Sequence, residues 1–536
     1  MYTQEVKNVI LILLLLVPAI QAQQPSSCSL PLKLVDVSHP RTVVGTGTAA
    51  SCTEAAFQAA VALGGIITFN CGPHAVVIPI TSQEELRNDI DTVIDGGHKI
   101  TLQGNGSTRL FIAESGIAPW YGGTPPYYQS THTAVTFQRI KLANGRSSGT
   151  PIPALPPGAP ADCSQGTEID GGGGVLYVRD IVVPIINSTV TGNHAAPLGP
   201  DVAGGGIYAL GSVDVTVQGT HFKNNDGANG GAIGMLESNF TVVNSVFQGN
   251  QALGHDGNHN IPSSGCPLHD NQYQVGDGGN GGAVYLDGQD TVGPLSCGNL
   301  FTQNNAGTNA IGGAIFGAGD PGIQNLTIAQ SEFDGNTSAN GGAVYAYQND
   351  LVIKRSTFSQ NTAGHGGAIQ GDFTQLTAVN NTFAGNSASA GVGALALFNS
   401  SGVLTNNTFV GNRAPHYPVL FDGSASSPAP SLTITNNLFV SNVATVGKLA
   451  CFTSFPGGGN FLWPSSLLSP APEGACAASE VTADPLLGTL GYNGGFTQTM
   501  PIPANSPADQ SGTACPTVDQ RGIARPTPCS SGSYQP

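Results

Sequence analysis

Short apolar runs alternate with Gly- and Asn-rich punctuation through most of this chain, and the alternation recurs at a nearly fixed distance. Runs such as Phe240-Thr241-Val242-Val243, Leu351-Val352-Ile353 and Leu432-Thr433-Ile434-Thr435 have the two-residue alternation of β-strands. Behind each such run comes a Phe, two variable residues and an Asn. This motif occurs eight times: Phe222/Asn225, Phe247/Asn250, Phe301/Asn304, Phe333/Asn336, Phe358/Asn361, Phe383/Asn386, Phe409/Asn412 and Phe439/Asn442. Successive Phe residues lie 25, 54, 32, 25, 25, 26 and 30 positions apart, and the 54 reads as one period plus an insertion between Asn250 and Gly281. A Gly-Gly-Ala-Ile or Gly-Gly-Ala-Val element then follows, beginning at Gly230, Gly281, Gly312, Gly341 and Gly366.

A unit this short leaves no room for a crossover helix between parallel strands, but it suffices for one coil of two or three short strands. Stacked coils make a parallel β-helix, in which each rung hydrogen-bonds to the rungs above and below. The repeated residues then have assignable tasks. Phe points inward and stacks on the next Phe about 4.8 Å along the axis. The Asn forms a side-chain amide ladder that satisfies turn carbonyls, and the paired glycines allow a tight corner with positive φ. Asn244, Gln330, Asn380, Asn406 and Asn436, three residues before Phe, read as a second amide ladder. Upstream, Thr53 is placed to cap a short helix through Glu54, Phe57, Ala60 and Val61 that ends at Gly64-Gly65 and covers the first open edge.

The predicted organisation is a signal peptide over 1–22, a cap with one helix over 23–75, the β-helix over 76–445 and a C-terminal cap over 446–536. Insertions interrupt the β-helix near 112–132, 146–172 and 251–280. The signal peptide rests on Lys7, the apolar run Val9 to Val17, and the small-residue site ending at Ala22. Export implies an extracellular or cell-surface protein with no transmembrane segment once the leader is removed. Ten cysteines suit an oxidising compartment, and proximity suggests Cys52–Cys71, Cys266–Cys297, Cys451–Cys476 and Cys515–Cys529, with Cys28 and Cys163 left over. Charged residues are 9% of the 536, and the balance of 17 basic against 33 acidic gives −16. That charge excludes nucleic acid as a partner.

The Gly-Gly-Ala-Ile and Phe-x-x-Asn repeats resemble those of polymorphic outer membrane proteins. Ser51-Cys52-Thr53-Glu54-Ala55 through Thr68-Phe69-Asn70-Cys71 resembles secreted bacterial right-handed parallel β-helix proteins of the pectate-lyase-like superfamily. Asp484-Pro485-Leu486-Leu487-Gly488, Asn493-Gly494-Gly495, Ser506-Pro507-Ala508 and Asp519-Gln520-Arg521-Gly522 resemble a choice-of-anchor Q region. The resemblance implies an all-β, single-stranded, right-handed parallel β-helix with a disulfide-braced C-terminal cap. Two departures stand out: no autotransporter barrel follows the repeats, and nothing anchor-like follows Gly532-Ser533-Tyr534-Gln535.

This fold hosts lyases, hydrolases, adhesins and inert fibres, so chemistry must come from residues outside the repeat consensus. Lys354 and Arg355 break the amide pattern, with Asp350, Asp372, Glu332 and Asp334 nearby in sequence. A polysaccharide lyase would need such a base beside calcium-binding acids, so calcium is the one cofactor the lyase reading admits; otherwise none is expected. His365 stands beside the Gly366-Gly367 corner and is similar to a Gly-His-Gly element of polygalacturonase-type hydrolases, without the paired carboxylates hydrolysis requires. The 251–280 insertion holds His255, Asp256, His259, His269, Asp270 and Asp277, a possible metal set or a polar braced loop. Trp120, Tyr121, Tyr127 and Tyr128, stiffened by three prolines, offer a platform for sugar rings or pack on the solenoid flank. The leading expectation is a secreted or surface-associated protein that binds polysaccharide or cell-surface glycan. A carbohydrate-active lyase or hydrolase and a structural stalk are the alternatives.

Overall fold

The computed structural model describes residues 28–536, apart from 116–131, 153, 155–156, 159–162, 164, 258–276, 289–294, 320–324, 424–431, 447–449, 465–475 and 478. The proposed leader (1–22) and the aromatic residues Trp120, Tyr121, Tyr127 and Tyr128 therefore lie outside the described residues. So do His259, Cys266, His269 and Asp270.

The chain winds into a right-handed parallel β-helix with three long sheets of 13, 14 and 11 strands, called I, II and III below. One coil shows the design. It runs through Val344–Tyr347 in sheet III, Asp350–Lys354 in sheet I and Thr357–Ser359 in sheet II. A fourth, narrow sheet takes Thr362–Ala363 before Gly366-Gly367 returns the chain to sheet III at Ile369. The pairing is parallel and in register, so Phe333 faces Phe358, Phe383, Phe409 and Phe439 in successive rungs.

Register converts the repeat into columns. The eight motif Phe side chains are completely buried. Neighbouring rings are 4.6 to 5.4 Å apart, and most are parallel to within 9°. Each burial is worth about 1.5–3 kcal/mol. Beside this column runs an amide ladder from Asn193 to Asn442, all buried. Asn361 donates to Asn386 Oδ1 at 2.9 Å and to the carbonyl of Phe333 at 2.9 Å, while its own Oδ1 accepts from Asn336 Nδ2 and from the Asn336 backbone. Every donor and acceptor of the amide is used, which is what allows it to be buried.

The second ladder lies one residue later than the sequence suggests. Ser331, Ser356, Asn381, Asn407, Asn437 and Asn460 form it, each side chain accepting from the backbone N–H of the rung before. The preceding residues, Asn244, Gln330, Arg355, Asn380, Asn406 and Asn436, instead make the corner between sheets I and II in a left-handed conformation, φ +47 to +56°. The glycine pair also divides its work. Gly366 supplies positive φ at +59°, and a Cβ on Gly367 would lie 2.2 Å from the Gly393 carbonyl.

The helix Glu54–Leu63 covers the first edge, with Thr53 Oγ1 accepting from the Ala56 amide and Phe57, Ala60 and Val61 buried. Disulfides join Cys52–Cys71, Cys451–Cys476 and Cys515–Cys529, with Cα separations of 5.6, 5.1 and 6.0 Å. The expected Cys266–Cys297 bond is not made: Cys297 pairs with Cys28, 5.9 Å away and 269 residues distant. Nearness in sequence misled because the N-terminal segment runs back along the flank to the rung that carries Cys297. Cys163 is also disulfide-bonded.

The Phe column has a direct test. Phe358→Ala removes a ring sandwiched between two others at 4.7 and 5.1 Å. Denaturant unfolding should show a loss of about 3–5 kcal/mol; a loss under about 1 kcal/mol would mean the column is not load-sharing in solution.

Candidate functional site

Residues at and just before the corner between sheets I and II serve the chain's own ends. Gln218 grips the backbone of Leu32 with both amide atoms at 3.0 and 3.1 Å, and Gln138 does the same to Val35 at 2.9 and 3.1 Å. The C-terminal segment descends the same flank. Asn436 binds Thr513, Asn406 binds Ser530 and Gly532, Asn380 binds Val518, and Arg355 Nε donates to the Gln520 carbonyl at 3.0 Å. Gln520 threads between rungs, donating to Thr357 Oγ1 and accepting from Thr382 Oγ1. Asp519 holds Arg521, whose guanidinium lies 3.6 Å from the Tyr534 ring centre. The Asp519-Gln520-Arg521-Gly522 motif is thus a docking knot.

Arg355 therefore spends its donor on the C-terminal segment, and burial lowers its pKa. Lys354 is exposed at the end of a sheet I strand. The acids near them in sequence are dispersed: Asp350 on sheet I, Glu332 and Asp334 on sheet II, Asp372 on sheet III. Glu332 is consumed by the docked segment, accepting from Tyr492 Oη at 2.7 Å and the Gln498 amide at 2.6 Å.

On the opposite flank, His255 sits between two carboxylates. Its Nδ1 is 2.9 Å from Asp256 and its Nε2 is 3.0 Å from Asp277, which also accepts from the Gln165 amide. Both ring nitrogens are occupied, so neither lone pair faces a shared third point. Among the described residues no three His, Cys, Asp or Glu side chains converge as a metal shell. Burial raises the pKa of Asp277; the hydrogen bond from Asn309 lowers that of Asp256.

Asn309 lies at the junction of a groove that runs along the turns leading into sheet III from Gln251 to Ser389. Two adjoining hollows of about 370 and 630 Å³ share Asn309, Thr337, Ser338 and Ala339, and the larger reaches His365 and Ser389. Ala252, Ala306, Ala339, Ala363, Gly307 and Gly364 line it, with Leu253 the one large apolar side chain among the described lining residues. Hydroxyls and amides from Thr337, Ser338, Asn340 and Thr362 form the walls. His365 is half-buried, and its ring rests where any Cβ on Gly391 would collide, 2.0 Å from Nδ1. Among the described residues the imidazole makes no hydrogen bond, which leaves both nitrogens for a ligand. The structure thus brings His365 together with Asn340 and Thr362, and keeps it apart from Lys354 and Arg355.

The sequence reading missed this groove, because its lining is the repeat itself and no residue departs from consensus except His365. It also missed a second, buried aromatic cluster on the outer side of sheet III, with Tyr208, Tyr285, Phe316 and Tyr345 all 0 to 5% exposed. The signal was present: each ring follows directly on a Gly-Gly-Ile, Gly-Gly-Ala-Val or Gly-Gly-Ala-Ile element.

The comparisons with known proteins agree with the fold. The family described as "Right handed beta helix region" matches residues 257–439. No curated protein matches. Among solved structures, the chain is similar to a Yersinia enterocolitica family 28 exopolygalacturonase at 13% identity, covering 74% of this chain and 75% of that one, TM-score 0.31. It is also similar to tailspike protein 3 of bacteriophage CBA120 at 12% identity, covering 78% and 60%, TM-score 0.32. The Dettilon tailspike protein gives 11%, 76% and 62%, TM-score 0.22. At these TM-scores the fold assignment rests on the strand pairing and the family match.

Docking of the C-terminal segment should depend on pH through Glu332. Burial, with Asp334 adding a like charge, raises its pKa. A raised carboxyl pKa means the native state favours the proton, so the contribution is full below the ordinary glutamate value of about 4.3 and is lost as pH rises through the folded value. Glu332→Gln keeps an acceptor for the Gln498 amide without the buried charge. Its melting temperature should gain on the wild type as pH rises from about 4.3 to 8; parallel pH curves would exclude Glu332 as the titrating group.

Proposed function

We propose that this chain is an exported β-helix protein that binds an uncharged polysaccharide along the groove from Asn309 to His365, without cleaving it. The groove lining is the observation that carries the reading: hydroxyls, amides and one free imidazole beside Ala and Gly, with no Lys, Arg, Asp or Glu among the described lining residues. Sugar hydroxyls both donate and accept, and this set can answer either role. Rungs recur about every 4.8 Å, roughly the length of one sugar ring, so an extended chain lying along the axis would meet the same groups repeatedly. General acid–base cleavage needs an acid and a base converging on one glycosidic bond; among the described residues no carboxylate lines the groove beside His365, and neither Lys354 nor Arg355 borders it.

Trp120, Tyr121, Tyr127 and Tyr128 enter this proposal as a further stacking surface for the same ligand. Export is supported by the disulfides, which persist in oxidising compartments. The leader-like residues 1–22 and the resemblance of the repeats to those of polymorphic outer membrane proteins favour a cell-surface or extracellular setting.

His365→Ala should weaken binding to a neutral polysaccharide about tenfold, near 1.4 kcal/mol, while Lys354→Ala leaves it unchanged. Titration of the purified protein against a neutral polysaccharide panel, with a parallel assay for new reducing ends and unsaturated products, reads both. Turnover that vanishes in Lys354→Ala or Arg355→Ala would replace this reading with the enzyme one.

A further inference from the structure

Sheet III carries a second feature, which starts at the far end of its strands from the groove at Phe373 and crosses the last rungs back to Tyr417. In these strands alternate side chains point outward. Register places Tyr347, Asp372 and Phe398 side by side on three successive rungs. Around them gather Phe373, Phe421, Tyr417 and Phe452. Phe373 meets Tyr347 edge to face at 5.9 Å, and Phe398 lies 5.3 Å from Phe421. Phe421 in turn lies 4.6 Å from Phe452 and 5.5 Å from Tyr417.

Phe373 is the residue the fold does not explain. It is the left-handed residue of the corner between sheets III and I, φ +54°, where other coils place Asp180, Gly211, Glu237, Gln348 and Asn399. Those side chains are polar or absent. Positive φ is unfavourable for a bulky residue, and Phe373 is also 53% exposed, so it gains little from burial. Phe452 is 44% exposed. A strained, exposed ring is a reason to look for a ligand.

Polar atoms at the centre point the same way. The Asp372 carboxylate accepts from the Tyr345 hydroxyl and from Gln370 Nε2. Gln370 is 4% exposed, and its Oε1 is buried without a hydrogen-bond partner among the described residues. The patch thus combines flat apolar faces with a half-buried carboxylate held over a buried amide. Among the described residues no Lys or Arg lies over these rings.

We propose that the terrace formed by Tyr347, Phe373, Phe398, Tyr417, Phe421 and Phe452 is a second glycan site that stacks pyranose rings of an uncharged sugar chain. Ring faces of sugars are apolar and pack on aromatic faces, while their hydroxyls donate to the half-buried Asp372 carboxylate. Uronates are disfavoured, because their carboxylates would meet Asp372 and a chain of net charge −16 with no cation at hand.

Calorimetric titration with cellohexaose, laminarihexaose, chitohexaose and, as the acidic control, polygalacturonate tests this. At least one neutral oligosaccharide should bind the wild type. Phe373→Asn, which suits the left-handed corner, should weaken that binding about tenfold or more with an unchanged or raised melting temperature. Phe452→Ser should weaken it in parallel. In His365→Ala the component sensitive to Phe373 should remain, so failure of the groove reading and failure of this one are separable. Wild-type affinity retained in Phe373→Asn and Phe452→Ser, preferential binding of polygalacturonate, or no binding of any neutral probe would each overturn the proposal. Should Phe373→Asn lower the melting temperature, Phe373 is a packing residue, and retained binding in Phe452→Ser would then overturn the site.

Discussion

The in-register parallel pairing of successive coils is the constraint from which the rest of this molecule follows. Every backbone amide of a rung is bonded to the rung before or after it, so the chain cannot slip without breaking a whole coil's bonds. Each side chain therefore has its own equivalent as its neighbour. Residues that stack well on copies of themselves are favoured at each position: Phe on Phe in the core, Asn on Asn and Ser on Asn at the corners. Charge is the property that stacks worst, since like charges repel at this spacing. A charged content of 9% is the consequence.

The same constraint decides where glycine is obligatory. The turn into sheet III must bring two chains together closely enough that a Cβ on Gly342 or Gly367 would lie 2.1 or 2.2 Å from the next rung's carbonyl. Polar ladders do the complementary work. They replace water for the backbone groups that a sharp corner turns away from its neighbours, which is how corners of one left-handed residue can be buried at all.

Repetition made the core legible in the sequence and hid most of the surface. The Phe column, the Asn ladder after it, the helix with its Thr53 cap and the glycine corner could all be read from spacing alone. Asn380 and Asn436 could not, because an amide at a fixed offset is equally consistent with a buried ladder and with a corner that binds another segment. Only the folded chain shows Asn436 holding Thr513, 77 residues on. Cys297 failed for the same reason, since its partner Cys28 arrives along the flank rather than along the sequence. The groove was invisible because it is built from consensus Ala, Thr and Asn, and Phe373 because a lone aromatic in a loop carries no periodic signal.

The two terminal segments also determine which faces remain for a ligand. Residues 28–38 cover the I/II corner from Cys297 back to Gln138, and residues 491–535 cover it from Asn436 down to Glu332. Both grip the solenoid through side-chain amides that bond a peptide unit from both sides, so the covering is a second layer of backbone pairing rather than loose contact. With that flank closed, the turns that lead into sheet III and the Phe373 corner at the other end of its strands stay accessible. His365 and Phe373 lie at opposite ends of one sheet III strand, and the aromatic cluster of Tyr285, Phe316 and Tyr345 is buried across the sheet between those ends. A β-helix that binds its own ends on one flank keeps its repeated hydroxyls and amides open to solvent along the turns of the other.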